Sequence, residues 1–424
     1  MTDPLSGGRT TTDVLLEMVV ANRGGKRVGL YSICSAERFV LEAALARAAA
    51  DGTLACVEST CNQVNQFGGY TGLTPAGFRD FVTRVAIETG FDPARVILGG
   101  DHLGPHVWRA EPAAQAMAKA RDLVRDCVMS GYTKIHLDAS MKLEGDPGAP
   151  DSPPDDSLVA ERTAELTAVA EAAWGGLPAG SPPPLYVVGT EVPVPGGETA
   201  GAGAPAVTTP QRAARTLELT GAAFTSRGLE DAWERVIALV VQPGVEFGSD
   251  SVCAYDRPRA RALVDWLEAQ RPLLFEAHST DYQSAAALAG LVSDHFAILK
   301  VGPALTHAFG EAVFELESRE RALLGDAGAG LSRLRETVER ALSDDPSHWR
   351  PYAADESAEQ RALAAFGYSD RVRYYWARPD VRAALDRLLG NLSARGATAA
   401  PPASLMRDRI GAVIAPYARA CRPG

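Results

Sequence analysis

Val96-Ile97-Leu98-Gly99-Gly100-Asp101-His102 and Lys134-Ile135-His136-Leu137-Asp138 stand on either side of the helix-patterned stretch 112–130. Each flanking run is short and mostly apolar, and each ends on reactive side chains. Strand, helix and strand in that order make the repeating unit of a parallel sheet. Working outward, runs 28–32, 54–59, 185–190, 236–241, 273–277 and 296–301 read as further strands. Alanine-rich stretches with helical spacing lie between them, at 36–51, 75–89, 158–174, 209–226, 258–270 and 282–293. Thr74-Pro75 and Thr209-Pro210 open two of these, since Pro at the first helical position loses no useful N–H. Nearly continuous apolar strands are expected where both sheet faces are buried. Eight such units between residues 28 and 301 predict an α/β fold, a (β/α)8 TIM barrel. An open doubly wound sheet is the weaker choice, because no Gly-x-Gly-x-x-Gly follows the first strand.

After residue 324 the strand pattern stops, and 331–342 and 379–392 read as helices. The expected division is a barrel over 13–324 and a mostly helical C-terminal extension over 325–424. Two insertions, 143–157 and 196–205, follow the ends of strands four and five. They read as solvated loops or as covers for a site on that face.

Composition excludes several classes. Lys+Arg number 42 against 53 Asp+Glu, a net charge of −11, which argues against nucleic acid or an anionic membrane surface as partner. No apolar run approaches the roughly 18–20 residues that span a bilayer. The first residues lack a signal-peptide pattern. Six cysteines without a Cys-x-x-Cys pair imply a reduced, cytoplasmic protein. Barrels of this size commonly associate, so a homo-oligomer is expected.

The polar residues gather where the strands end. Strand two ends in Glu58 and runs into Asn62-Gln63, strand three in Asp101-His102, and strand four in His136 and Asp138. Glu191 ends strand five, Glu246 follows strand six, and Glu276, His278, Ser279 and Asp281 end strand seven. In a barrel these ends share one rim. Carboxylates are costly to bury without a partner or a metal, so the rim suggests a cation site or acid–base chemistry. His102, His278 and Glu246 form the expected ligand set, two His and one Glu with an open position. Zinc is the first choice of divalent metal, with manganese or nickel as alternatives. His136 lies within a strand, so core packing and site membership weigh equally. Asp101 is placed to shuttle a hydroxyl proton. Gly244, Gly248 and Gly302, with Ser279-Thr280, could offer N–H groups to a phosphate. Lys300, Arg371 and Arg373 are the candidate cations for such an anion.

Several long motifs occur in order. They include Glu58-Ser-Thr-Cys-Asn62-Gln63-Val-Asn65-Gln66-Phe-Gly68-Gly69-Tyr70, Gly99-Gly-Asp101-His102-Leu-Gly-Pro, Lys134-Ile-His136-Leu-Asp138-Ala-Ser140, Gln242-Pro-Gly-Val-Glu246-Phe-Gly248, Glu276-Ala-His278-Ser-Thr-Asp281-Tyr and Tyr368-Ser-Asp370-Arg371-Val-Arg373-Tyr-Tyr-Trp376. From about residue 13 to residue 395 the chain resembles the D-tagatose-1,6-bisphosphate aldolase accessory-subunit family. The resemblance implies one of two functions. One is a ketose 4-epimerase interconverting tagatose 6-phosphate and fructose 6-phosphate, or the free sugars. The other is a non-catalytic subunit that stabilises a class II aldolase catalytic partner. The chain is also similar, more distantly, to class II aldolases themselves, which makes an aldolase the third reading. Their metal His after strand six is missing, and Glu246 stands near that place.

Epimerising C4 of a ketose requires either transient oxidation or C3–C4 cleavage. No nicotinamide fingerprint is present, so no nicotinamide is expected and retro-aldol chemistry is favoured. In that scheme Asp101 moves the C4 hydroxyl proton, and Glu58 or Glu191 is a second acid/base. Asn62, Gln63 and Asp138 shape the pocket, and Ser279, Asp281, Lys300, Arg371 and Arg373 bind substrate.

Overall fold

The structure, a computed structural model, describes residues 4–148, 152–189, 205–325, 330–355, 357–394 and 401–422. Eight parallel strands close into a barrel. They are β1 (Leu30–Ile33), β2 (Ala55–Thr60), β3 (Val96–Leu103), β4 (Lys134–Leu137), β5 (Leu185–Val188), β6 (Val236–Val240), β7 (Leu274–Ala277) and β8 (Ile298–Val301). The barrel shuts where Leu30 pairs with Ile298 and Ile33 with Val301. All eight expected strands are present, because their apolar runs are buried on both faces: every residue of β4, β5, β6, β7 and β8 is buried.

The helices between them begin as their caps dictate. Thr74 Oγ1 accepts the Gly77 N–H, and Thr209 Oγ1 accepts that of Arg212. A two-stranded antiparallel ribbon, Glu246–Phe247 with Val252–Cys253, follows β6. Among the described residues no helix is long and apolar enough to cross a membrane.

The residues after 324 form helices Leu334–Asp344, Ala358–Phe366, Pro379–Ala394 and Pro402–Cys421. The second and fourth have no counterpart in the sequence reading. Pro416 sits inside the last helix and obscures its periodicity. That helix returns to the barrel wall, packing on Arg38–Asp51 and Pro303–Leu324. Cys421 C=O accepts the Gly29 N–H below β1. A short 3-10 turn, Arg371–Tyr374, carries Arg373 and Tyr374 to the barrel mouth. Of the two insertions, 149–151 and 196–204 lie outside the described residues, as does Glu191. Asp146 of the first insertion is clamped by Arg162, with Nη1 at 2.8 Å.

Candidate active site

Five strands project charged side chains into the barrel interior. Lys134 of β4 lies 2.6 Å from Glu58 Oε1 of β2 and 2.6 Å from Glu276 Oε2 of β7. Lys300 of β8 contacts Glu58, lies 3.0 Å from Asp101 and 3.6 Å from Glu276. All five side chains are at most 5% exposed. Room for this cluster comes from Gly99, where a Cβ would stand 2.8 Å from Glu58 Cγ. Buried charges persist only when paired, and here each has an opposite neighbour. Burial disfavours the charged forms, yet the lysines outweigh it and hold Glu276 well below the usual carboxylate range. Asp101 is also held well below that range, by Lys300 and His102 against burial.

Above this layer sit three imidazoles. Ring centroids are 4.9 Å apart for His102 and His136, 4.7 Å for His102 and His278, and 5.2 Å for His136 and His278. Two neighbours in sequence, Asp101 and His102, both reach the mouth because β3 slips its register against β4 between Gly100 and Leu103. His102 takes a left-handed φ of 49° there. Asp138 Oδ2 engages His102 Nδ1 at 2.9 Å, and Glu276 Oε1 engages His278 Nε2 at 3.0 Å. Carboxylates thus orient both rings from behind, as they do for metal-binding histidines. Burial brings His278 down to about 4, so its imidazole is neutral at neutral pH. His136 Nδ1 lies 2.9 Å from Asp101 Oδ1 and 3.1 Å from the His102 backbone nitrogen. His136 Nε2 is buried without a hydrogen-bond partner among the described residues. Asp101, His102, His136 and His278 can each offer one ligand atom, with all four atoms within 4.8 Å of one another.

This group differs from the expected ligand set. Glu246 is outside it: its Oε1 accepts the Phe247 N–H at 2.9 Å, at the start of the ribbon. His136, left even between core and site, is inside it. A neutral His278, carboxylates behind the His102 and His278 rings and one orphaned buried nitrogen on His136 are what a divalent cation would satisfy.

A cavity of about 100 Å³ opens over the cluster. Asp101, His102, His278, Asn62, Gln63, Ser279, Asp281, Lys300 and Arg373 line it. Glu58, Asp138 and Arg371 do not. Glu58 lies beneath, held by two lysines. Asp138 lies behind His102, and the Arg371 guanidinium is buried 3.3 Å over the Tyr352 ring. The expected phosphate cradle is filled from within. Gly302 and Ala304 N–H donate to Asp281 Oδ1 at 3.1 and 2.8 Å, Gly244 N–H to Gln242, and Gly248 N–H to Ser251. Lys300 is committed to three carboxylates.

The sequence reading missed Cys34, Tyr70 and Tyr374, which also line the cavity. The signal for Tyr70 was the glycine pair before it. Gly69 has φ 55°, and a Cβ there would sit 2.3 Å from Gln63 O. Tyr70 and Tyr374 meet edge to face at 4.7 Å. Burial raises the Tyr374 phenol, but Arg373 and Arg371 outweigh that and bring it below its ordinary value.

A closed barrel with a histidine–carboxylate centre at the C-terminal mouth of its strands defines the class. Within it, the chain belongs to the D-tagatose-1,6-bisphosphate aldolase subunit GatZ/KbaZ-like family, whose model matches residues 15–406. It is similar to a protein of Agrobacterium fabrum named D-tagatose 6-phosphate 4-epimerase, 46% identical over 400 residues and covering 94% of this chain and 91% of that one. It is equally similar to a D-tagatose-1,6-bisphosphate aldolase subunit GatZ of Klebsiella pneumoniae, 46% identical over 377 residues, 89% of this chain and 87% of that one. Among solved structures it is similar to one from Sinorhizobium meliloti described as a probable tagatose 6 phosphate kinase. That match has a TM-score of 0.82 at 40% identity, covering 93% of this chain and all of the other.

Proposed function

We propose that the protein is a metal-dependent ketose 4-epimerase that interconverts D-tagatose 6-phosphate and D-fructose 6-phosphate by cleaving and re-forming C3–C4. The observation that carries this is the three-imidazole group with its orphaned His136 Nε2, set beside Asp101 at the floor of an open cavity. The epimerase name of a 46% identical relative supports the same reading.

His102, His136 and His278 would hold the ion, and Asp138 and Glu276 orient two of those rings. A divalent metal bound there supplies Lewis acidity at the C2 carbonyl. Asp101 takes the C4 hydroxyl proton as C3–C4 breaks, and returns it after the aldehyde has presented its other face. Lys300 and His136 hold Asp101 ionised and fix its direction. Asn62 lines the cavity for the sugar hydroxyls, while Gln63 Oε1 is tied to the Thr60 N–H. Glu58 belongs to the buried ion layer and keeps Lys300 in place. Glu191 is the remaining candidate for a second acid/base.

The test is to give the purified, metal-loaded chain tagatose 6-phosphate and follow fructose 6-phosphate and free triose. Epimer without released triose supports the proposal. Triose release would instead identify an aldolase. The GatZ name of an equally similar relative supports a second reading, a non-catalytic stabilising subunit. No turnover, with activation of an added class II aldolase, would establish that reading.

A further inference from the structure

Two places in this barrel could hold the phosphoryl group of a sugar phosphate. The usual one is the N-terminus of the helix after β8, here Pro303–Leu324. It is closed, because the Asp281 carboxylate already accepts the N–H groups of Gly302 and Ala304. A second anion there would meet that carboxylate. Lys300, the nearest strand-end cation, carries no spare charge: Glu58, Asp101 and Glu276 surround it.

The opposite side of the mouth differs. Arg373 forms no ion pair among the described residues. Its Nη1 donates to the Asp370 C=O at 2.9 Å and to the Ser369 C=O, and its Nη2 to the Tyr374 hydroxyl at 3.1 Å. Those carbonyls fix the guanidinium without neutralising it. Beyond Arg373 a second cavity of about 210 Å³ adjoins the first, and Cys34, Gln63, Tyr70 and Arg373 line both. Its other arginine, Arg382, is spent on Glu37 at 2.7 Å. Arg373 is therefore a fixed cation with no carboxylate in ion-pair contact among the described residues, its charge felt by the buried Asp370 and Asp281, and it is flanked by two phenols at the junction of the cavities.

We propose that Arg373, with the Tyr70 and Tyr374 hydroxyls, is the phosphate subsite that makes the enzyme prefer phosphorylated ketoses, a deepening that rests on the ketose-phosphate reading above. The C-terminal segment thereby becomes part of the substrate site, and Asp281 serves as an internal substitute for the anion that other barrels bind after β8.

The experiment measures kcat and KM of the metal-loaded protein with tagatose 6-phosphate and with unphosphorylated tagatose. Binding of inorganic phosphate is measured in parallel by calorimetry. Arg373→Met should raise KM for the phosphorylated sugar roughly 100-fold with little change in kcat, as expected for loss of one charged partner. The free sugar's kcat/KM should fall far less than that of the phosphorylated sugar, and phosphate binding should vanish. Tyr374→Phe and Tyr70→Phe, which remove only hydroxyls, should shift the same KM by about 3- to 10-fold. Equal losses for both sugars would overturn the subsite, as would phosphate binding that survives Arg373→Met. Phosphate binding that is lost in Arg373→Met, in a wild-type protein that epimerises neither sugar, would uphold the subsite and overturn the epimerase.

Discussion

Glu276 joins two layers of the barrel: one carboxylate oxygen lies 3.0 Å from His278 Nε2 and the other 2.6 Å from Lys134 Nζ. The ion layer beneath the cavity therefore sets the tautomer of an imidazole within it. With Nε2 engaged, His278 has Nδ1 left for a metal.

Glu276→Gln keeps the shape but removes the charge. Lys134 would retain only Glu58, and the buried ammonium would be undercompensated. A loss of about 3 kcal/mol in stability is expected from breaking such a pair, together with weakened metal binding of roughly 10- to 100-fold. Urea unfolding and a metal titration check both. Unchanged metal affinity would show that Glu276 does not govern His278.

Asp101→Asn should abolish turnover while leaving fold and metal content intact. General-base removal is worth roughly 100- to 10,000-fold. The comparison is steady-state rate against metal stoichiometry on the same preparation, and a variant turning over at the wild-type rate would remove Asp101 from the proton transfer.

Asp370 gives the fold a pH dependence. Burial pushes its carboxyl up to about 7, against Arg373, the Thr306 hydroxyl and Arg371, with Asp281 adding to the rise. The folded state thus holds a proton that the unfolded chain releases near pH 4. The resulting stability is full below pH 4 and is lost as pH rises to about 7. Asp370→Asn, which also tolerates the left-handed φ of 48° at this position, should flatten that part of the stability profile. Thermal unfolding from pH 5 to pH 8 measures it, and an unaltered slope would mean that Asp370 does not titrate there.

Gly69→Ala introduces a Cβ 2.3 Å from the Gln63 carbonyl oxygen at a left-handed position. The turn must shift and take Tyr70 with it, at a cost of about 1–3 kcal/mol. KM for a sugar phosphate should rise more than kcat falls. An unchanged KM would place Tyr70 outside the substrate's reach.

The barrel was legible because parallel strands buried on both faces must be apolar runs, and eight of them could be counted. Asp101-His102 and His278 were legible because strand ends meet at one rim. Glu246 was drawn to the rim for the same reason: it follows β6, but the chain turns there into a ribbon and its carboxylate accepts the Phe247 N–H. His136 could not be decided from sequence, since a mid-strand residue faces inward or outward according to register. Lys134 and Glu276 were readable in principle as charges inside apolar strands, although their pairing across the barrel was not. Arg371 and Arg373 looked alike. Only the 3-10 turn at Arg371–Tyr374 sends one under Tyr352 and the other to the cavity.

The most direct measurement of the central claim is the conversion of tagatose 6-phosphate by the metal-loaded chain alone, followed by NMR, with His136→Ala alongside. Fructose 6-phosphate should form to equilibrium without free triose, and the variant should lose both the metal and the reaction. An inactive wild-type protein, or a His136→Ala variant that keeps its metal and its rate, would contradict it.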